Sequence, residues 1–230
     1  MSSQNLVDLA IQFNDGGVQL MNQGRFINAI PYFHKALNHL KQVLGAQDGS
    51  KTSTDDLLTF QMAGAESASS KEQESFIFTT PITASRADQR TTMLMEEDTD
   101  TCLDSLVRFS FSLLFNLAVA MHIGGLDTPN MEVAERRVKK SLVFYELAYN
   151  MMQDERIHGL TETMAIINNI AQVHRVLGNP PKAHQCYEKL LSIMVYVTDC
   201  GGQLSVHQFD RFYENVLPAL LPRAPVAQAA

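Results

Sequence analysis

The same three residue types recur at the same spacing in two distant parts of the chain. A glycine is followed by an alanine five positions on and by an aromatic residue four beyond that. They are Gly24, Ala29 and Phe33 near the start, and Gly178, Ala183 and Tyr187 toward the far end. This spacing fits two helices joined at the glycine. The small residue stands where the helices cross closely, and the aromatic residue, one turn later on the same face, fills the space beside the crossing. One such hairpin cannot bury both of its faces, so hairpins of this kind must stack on neighbours.

Apolar periodicity extends the pattern. Leu6, Leu9, Ile11, Phe13, Val18, Leu20 and Met21 predict a first helix, and Ile27, Ile30, Phe33, Leu37, Leu40 and Leu44 a second that ends at Gly45. From Cys102 a long helix runs to Gly124-Gly125. Others are predicted over Asn130 to Met152 and Leu160 to Leu177. Asn179-Pro180-Pro181 is a strong helix start, with asparagine as cap and prolines in the first turn. A last helix is signalled by Ser205 as cap, then Phe209, Phe212, Tyr213, Val216 and Leu217. No segment alternates with period two for long enough to build a sheet. Pro31 needs a place in a first turn, so Asn28 is expected to cap the second helix and Ala29 to begin it.

The repeat itself resembles the tetratricopeptide (TPR) motif, a helix–turn–helix of about 34 residues. In the first copy Phe13, Gly17 and Leu20 match the first helix, Gly24 the turn, and Phe26, Ala29, Phe33 and Ala36 the second helix. Gly16 departs from the pattern, where leucine is usual. The far copy matches through Ile167, Ile170, Ala171 and His174, then Gly178, then Ala183, Tyr187 and Leu190. Between them, Leu114, Leu117, Ala118, Met121 and Gly125 match a first helix. Ser141, Tyr145 and Ala148 match a second, after an insertion that includes Asp127 to Arg136. The order of features also resembles a group of short TPR-like proteins from diatoms. They share an Asn-Leu-Ala helix (Asn116 to Ala118 here), a Leu142 to Ala148 helix, an Asn168-Asn169-Ile170 helix and a terminal Phe212 to Val216 helix. The resemblance implies an all-α, irregular TPR-like solenoid. Three hairpins occupy residues 1–44 and 102–200, a capping helix 203–221 and a flexible tail 222–230. It implies no activity.

The remaining stretch, 45–101, has a different composition. It carries 4 basic and 11 acidic residues, while the rest of the chain has 14 of each. Low hydrophobicity with charge of one sign predicts a mostly disordered acidic insert. One island, Phe76 to Ala84, is aromatic and β-branched, and Pro81 excludes a helix interior, so an extended segment is expected there. Asp55 to Phe60 is a weaker island. The charge balance offers no basic footprint for nucleic acid. Leu106 to Leu126 is long enough to span a membrane, but Arg108, Asn116 and His122 argue for a buried helix of a soluble protein. Three dispersed cysteines, Cys102, Cys186 and Cys200, suit free thiols in a reducing compartment, hence an intracellular, cytoplasmic or nuclear setting.

Chemistry for catalysis is thin. His34 and His39 miss the spacing for two ligands on one helix face, and His184 and Cys186 point to different faces. His174 falls at a repeat-core position. Paired carboxylates stand only in the acidic insert, where nothing holds them in working geometry. The expectation is therefore no enzyme, no metal and no cofactor, with His122, His174 and Cys186 the residues an enzymatic reading would need.

Binding reads better. The first helices of TPR stacks line a groove, and the matching faces carry Asn14, then Asn116 and His122, then Asn168, Asn169, Gln172 and Arg175. Asparagine recurs in all three copies. Its amide donates and accepts, so it can hold the backbone of an extended peptide without choosing its side chains, or else satisfy helix groups internally. The family's clamp for C-terminal carboxylates needs lysines that these faces lack, so chaperone-tail binding is not expected. The groove and the extended island suggest that Phe76 to Ala84 docks in cis, with Arg136 to Lys140 attracting its acidic flanks. The expected function is a protein-interaction adaptor or scaffold that takes a peptide or protein partner, with no nucleic acid and no membrane. The alternative is a structural subunit or homo-oligomerisation module.

Overall fold

A computed structural model describes residues 3–47, 76–81, 99–152, 159–199 and 206–220. Among the described residues are seven α-helices and no strand: α1 (Ser3–Asn22), α2 (Phe26–Gln47), α3 (Thr99–Leu126), α4 (Met131–Met151), α5 (Leu160–Val176), α6 (Pro180–Asp199) and α7 (Val206–Leu220). The fold is all-α. Asp55 to Phe60, residues 82–84 and the tail lie outside the described residues.

Two glycines make two equivalent turns. Gly24 has φ 71° and Gly178 φ 69°, the left-handed conformation that glycine enters without steric cost. At the first, Gly24 N–H donates to Met21 O and Arg25 N–H to Leu20 O. At the second, Gly178 N–H donates to Arg175 O and Asn179 N–H to His174 O. Both are Schellman closures of the preceding helix. In both, the residue after the glycine also starts the next helix: Ala29 N–H donates to Arg25 O, and Ala183 N–H to Asn179 O. Asn179 adds a side-chain cap to Lys182 N–H at 3.4 Å.

This turn overrides the expectation that Asn28 caps α2. Arg25 is the N-cap, the helix runs from Phe26, and Pro31 stands inside it. The coupled turn fixes the start before proline's preference can act. Pro31 cannot donate to Ile27 O, yet both residues are exposed, so water can serve that carbonyl. Pro31→Ala restores the missing donor and should stabilise the chain by about 1–2 kcal/mol, read as a higher urea midpoint. An unchanged or lower midpoint would show that the helix has already adapted to the ring. Gly45, expected to end α2, instead lies inside it, and the helix continues to Gln47. The insertion placed at Asp127 to Arg136 is mostly helix, because Asn130 caps α4 through Val133 N–H at 3.1 Å.

The described chain forms two compact units. The first holds α1 to α4. Hairpins α1–α2 and α3–α4 pack through α2 and α3. Its core contains Ala29, Phe33 and Ala36 of α2, Leu117 and Ala118 of α3, and Ser141, Tyr145 and Ala148 of α4, all fully buried. The departure at Gly16 has a local cause: a β-carbon there would lie 2.9 Å from the Tyr32 ring. Gly17 is tighter, at 2.5 Å from Phe33. Leu106–Leu126 is the one helix among the described residues long and apolar enough to cross a membrane, and 67% of that window is buried inside the structure. The second unit holds α5, α6 and α7 together with Phe76 to Phe78. Ile170, Ala171, Ala183 and Tyr187 pack its α5–α6 hairpin, and α7 lies on α6.

Candidate functional site

An unpaired backbone N–H or C=O that leaves water must find a partner. In the second unit the main chain of Phe76 and Phe78 finds its partners in three asparagine side chains. Phe76 N–H donates to Asn215 Oδ1 at 3.0 Å, and Phe76 O accepts from Asn215 Nδ2 at 2.6 Å and Asn168 Nδ2 at 3.2 Å. Phe78 N–H donates to Asn169 Oδ1, and Phe78 O accepts from Asn169 Nδ2, both at 2.9 Å. In an extended chain, residues i and i+2 turn their N–H and C=O groups to the same edge. The two amides thus pair with alternate residues as a neighbouring β-strand would.

The amides are also tied to one another. Asn215 Nδ2 donates to Asn168 Oδ1 at 2.7 Å, and Asn168 Nδ2 to Asn169 Oδ1 at 3.1 Å. Asn168 and Asn169 are fully buried and Asn215 nearly so, which makes an unmade bond at any of them costly. This chain fixes each amide's direction. Its oxygens and nitrogens are therefore set for a peptide edge. The helix positions explain the convergence. Every residue of α5 from Met164 through His174 is buried, so the adjacent Asn168 and Asn169 are both enclosed, and α7 supplies Asn215 from the same face as Phe212 and Val216.

Aromatic packing completes the cradle. The rings of Phe76 and Phe78 lie 6.5 Å apart on one side of the segment. Both rest on Phe212, Phe76 edge-on at 5.7 Å and Phe78 stacked at 6.1 Å. The Arg211 guanidinium sits 5.2 Å from the Phe76 ring centre. Phe212 is fully buried, while Phe76, Ile77 and Phe78 are each half-buried.

The structure distributes the other groove residues differently from the sequence reading. Asn14 and Asn116 are fully buried in the first unit and meet each other, Asn116 Nδ2 donating to Asn14 Oδ1 at 3.3 Å. They serve the α1–α3 contact and do not face solvent. His122 is fully buried with its ring edge toward Tyr145 at 6.0 Å, and neither ring nitrogen has a partner among the described residues. Burial lowers its pKa to about 3. Gln172 Nε2 donates to the Tyr187 hydroxyl at 2.8 Å, and the Arg175 side chain reaches the same hydroxyl. Burial raises the Tyr187 pKa, against a smaller opposing effect of Arg175. Gln172 and Arg175 thus belong to the α5–α6 contact.

Of the seven groove residues, only Asn168 and Asn169 come together at the cradle. Asn215 is the member that the sequence reading missed. Its signal was present in the Phe212 to Val216 pattern, but that helix reads as a cap, and nothing local aims it at Phe76. Among the residues of an enzymatic reading, His174 is buried and held below its ordinary pKa by burial and then by Lys182, and Cys186 is half-buried. Among the described residues no group of three or more His, Cys, Asp or Glu side chains is placed to hold a metal ion. Comparison of the chain with protein-family models, with curated proteins and with solved structures finds no match.

Proposed function

We propose that this chain is a protein-interaction adaptor without catalysis, built on TPR-like hairpins, that recognises an extended peptide by its main chain. The observation that carries the reading is the pairing of Asn169 and Asn215 with both backbone groups of Phe78 and Phe76. Side-chain amides that satisfy N–H and C=O together read a backbone, and a backbone is common to any partner segment. The equivalent turns at Gly24 and Gly178 support the TPR-like reading of the hairpins. In this proposal Phe76 to Phe78 is an internal occupant of the site, and a partner's segment takes its place.

A labelled peptide, Glu-Ser-Phe-Ile-Phe-Thr-Thr-Pro-Ile, copies residues 74–82 and serves as the probe. It is titrated into the full chain carrying F76A and F78A, which weakens the internal occupant. Asn169→Ala or Asn215→Ala, added to that chain, should each reduce affinity by about 5- to 150-fold, since the peptide group left unpaired costs about 1–3 kcal/mol. Affinity that is indifferent to both substitutions rejects main-chain recognition.

A further inference from the structure

We infer, resting on that reading of the cradle, that its partners present an aromatic–x–aromatic segment, extended, with no proline at either aromatic position. Main-chain pairing alone cannot discriminate among peptides. The discrimination comes from what lies beside the amides.

In an extended segment, side chains at i and i+2 stand on one face, and that at i+1 on the other. The first position meets Phe212 in a T-shaped contact and the Arg211 guanidinium, and the second stacks on Phe212 with an interplanar angle of 5°. A guanidinium over a ring favours an aromatic side chain over an aliphatic one of similar size, through the ring's quadrupole. A stacked pair does the same through its offset geometry. Both positions therefore select for aromatics. The middle residue carries its side chain away from Phe212, and the bonded backbone groups belong to its two neighbours. Ile77, half-buried like its neighbours, adds apolar burial and takes no part in the aromatic contacts. Each aromatic residue must supply an N–H, to Asn215 Oδ1 or to Asn169 Oδ1, and proline has none.

The way the site is built suits exchange of the internal occupant, Phe76 to Phe78, for a second protein's segment. The bonds from Asn215 to Asn168 and from Asn168 to Asn169 do not involve Phe76 to Phe78, so the amides stay aligned when the segment leaves. Pre-aligned donors and acceptors lower the ordering cost of binding a replacement. The internal segment competes at an effective concentration on the order of millimolar, as tethered ligands do, so the unaltered chain binds more weakly than one whose segment is disabled.

The test uses the nonapeptide probe and the full chain. The peptide should bind the F76A/F78A chain at least tenfold more tightly than the unaltered chain. Changing both peptide phenylalanines to leucine should cost at least tenfold, and changing the middle isoleucine to serine should cost less than that. Proline at the second aromatic position should abolish binding. The same peptides, in excess over the unaltered chain, are followed by hydrogen exchange at the Phe78 amide, which keeps the result independent of how the double variant folds. The parent peptide should accelerate that exchange and the leucine peptide should not. If the leucine peptide matches the parent while the proline peptide fails, the aromatic signature is wrong and main-chain recognition stands. If all the peptides bind alike, or none binds, both are wrong.

Discussion

Gly17→Ala is expected to destabilise the chain, and to stabilise it once Phe33 has been cut back to alanine. Two effects oppose each other at this position. Alanine in a helix interior is favoured over glycine by about 1 kcal/mol. Against this, the new β-carbon would lie 2.5 Å from Cε1 of Phe33, whose ring is fully buried and has little room to retreat. Overpacking of this kind costs about 1–3 kcal/mol, so the clash wins in the native background. Phe33→Ala alone should cost about 3–5 kcal/mol, as other buried phenylalanine truncations do. With the ring gone only the helix preference remains, and Gly17→Ala becomes favourable. Urea denaturation of the four proteins, followed by circular dichroism, reads the coupling. Effects that add to within about 0.5 kcal/mol would mean that the two positions do not meet.

His122 makes the second large contribution, and it depends on pH. The imidazole is buried with both ring nitrogens unpartnered among the described residues, and its pKa is lowered from 6.5 to about 3. Below pH 6.5 the unfolded chain takes up a proton at this site that the folded chain refuses. The unfolded state then binds more protons, so stability falls as pH falls, and the loss stops near pH 3 where the folded site protonates. Between pH 7 and pH 4 this one group removes about 3 kcal/mol. Carboxylates titrate over the lower part of the same range, so the informative quantity is the difference from His122→Phe. The variant should gain on the native chain by about 1.4 kcal/mol per pH unit between pH 6 and pH 4. At pH 7 it should be no less stable, because two unsatisfied nitrogens have gone. Parallel stability curves from pH 7 to pH 4 would show that His122 is not the group that titrates.

What could be read from the residues alone follows the range of the forces involved. The turns at Gly24 and Gly178, the small residues Ala29 and Ala183, and the aromatics Phe33 and Tyr187 are set within one hairpin, and sequence spacing reports them. Pro31 went astray because two local rules conflicted. The glycine turn, with its hydrogen bonds already made, outranked proline's preference for a first turn. Asn116 and His122 went astray for another reason. Periodicity locates a wet face only where a helix has one, and α3 is buried at every residue from Phe111 through His122. Asn168 and Asn169 could be named as amides for a backbone. That Asn215 would complete them could not, since its partner Phe76 is 139 positions away.

That separation also sets an order in time. A ribosome makes Phe76 long before it makes Asn169, and Asn215 later still, in the last described helix. Chains emerge at about 5–20 residues per second, so several seconds or more pass between the segment and the residue that completes its site. Hairpin α1–α2 of the first unit precedes the segment, and hairpin α3–α4 is made within that interval. Closing the cradle is therefore a late event of biogenesis: Phe76 and Phe78 wait, main chain unpaired by the asparagines, until α7 emerges to bring Asn215.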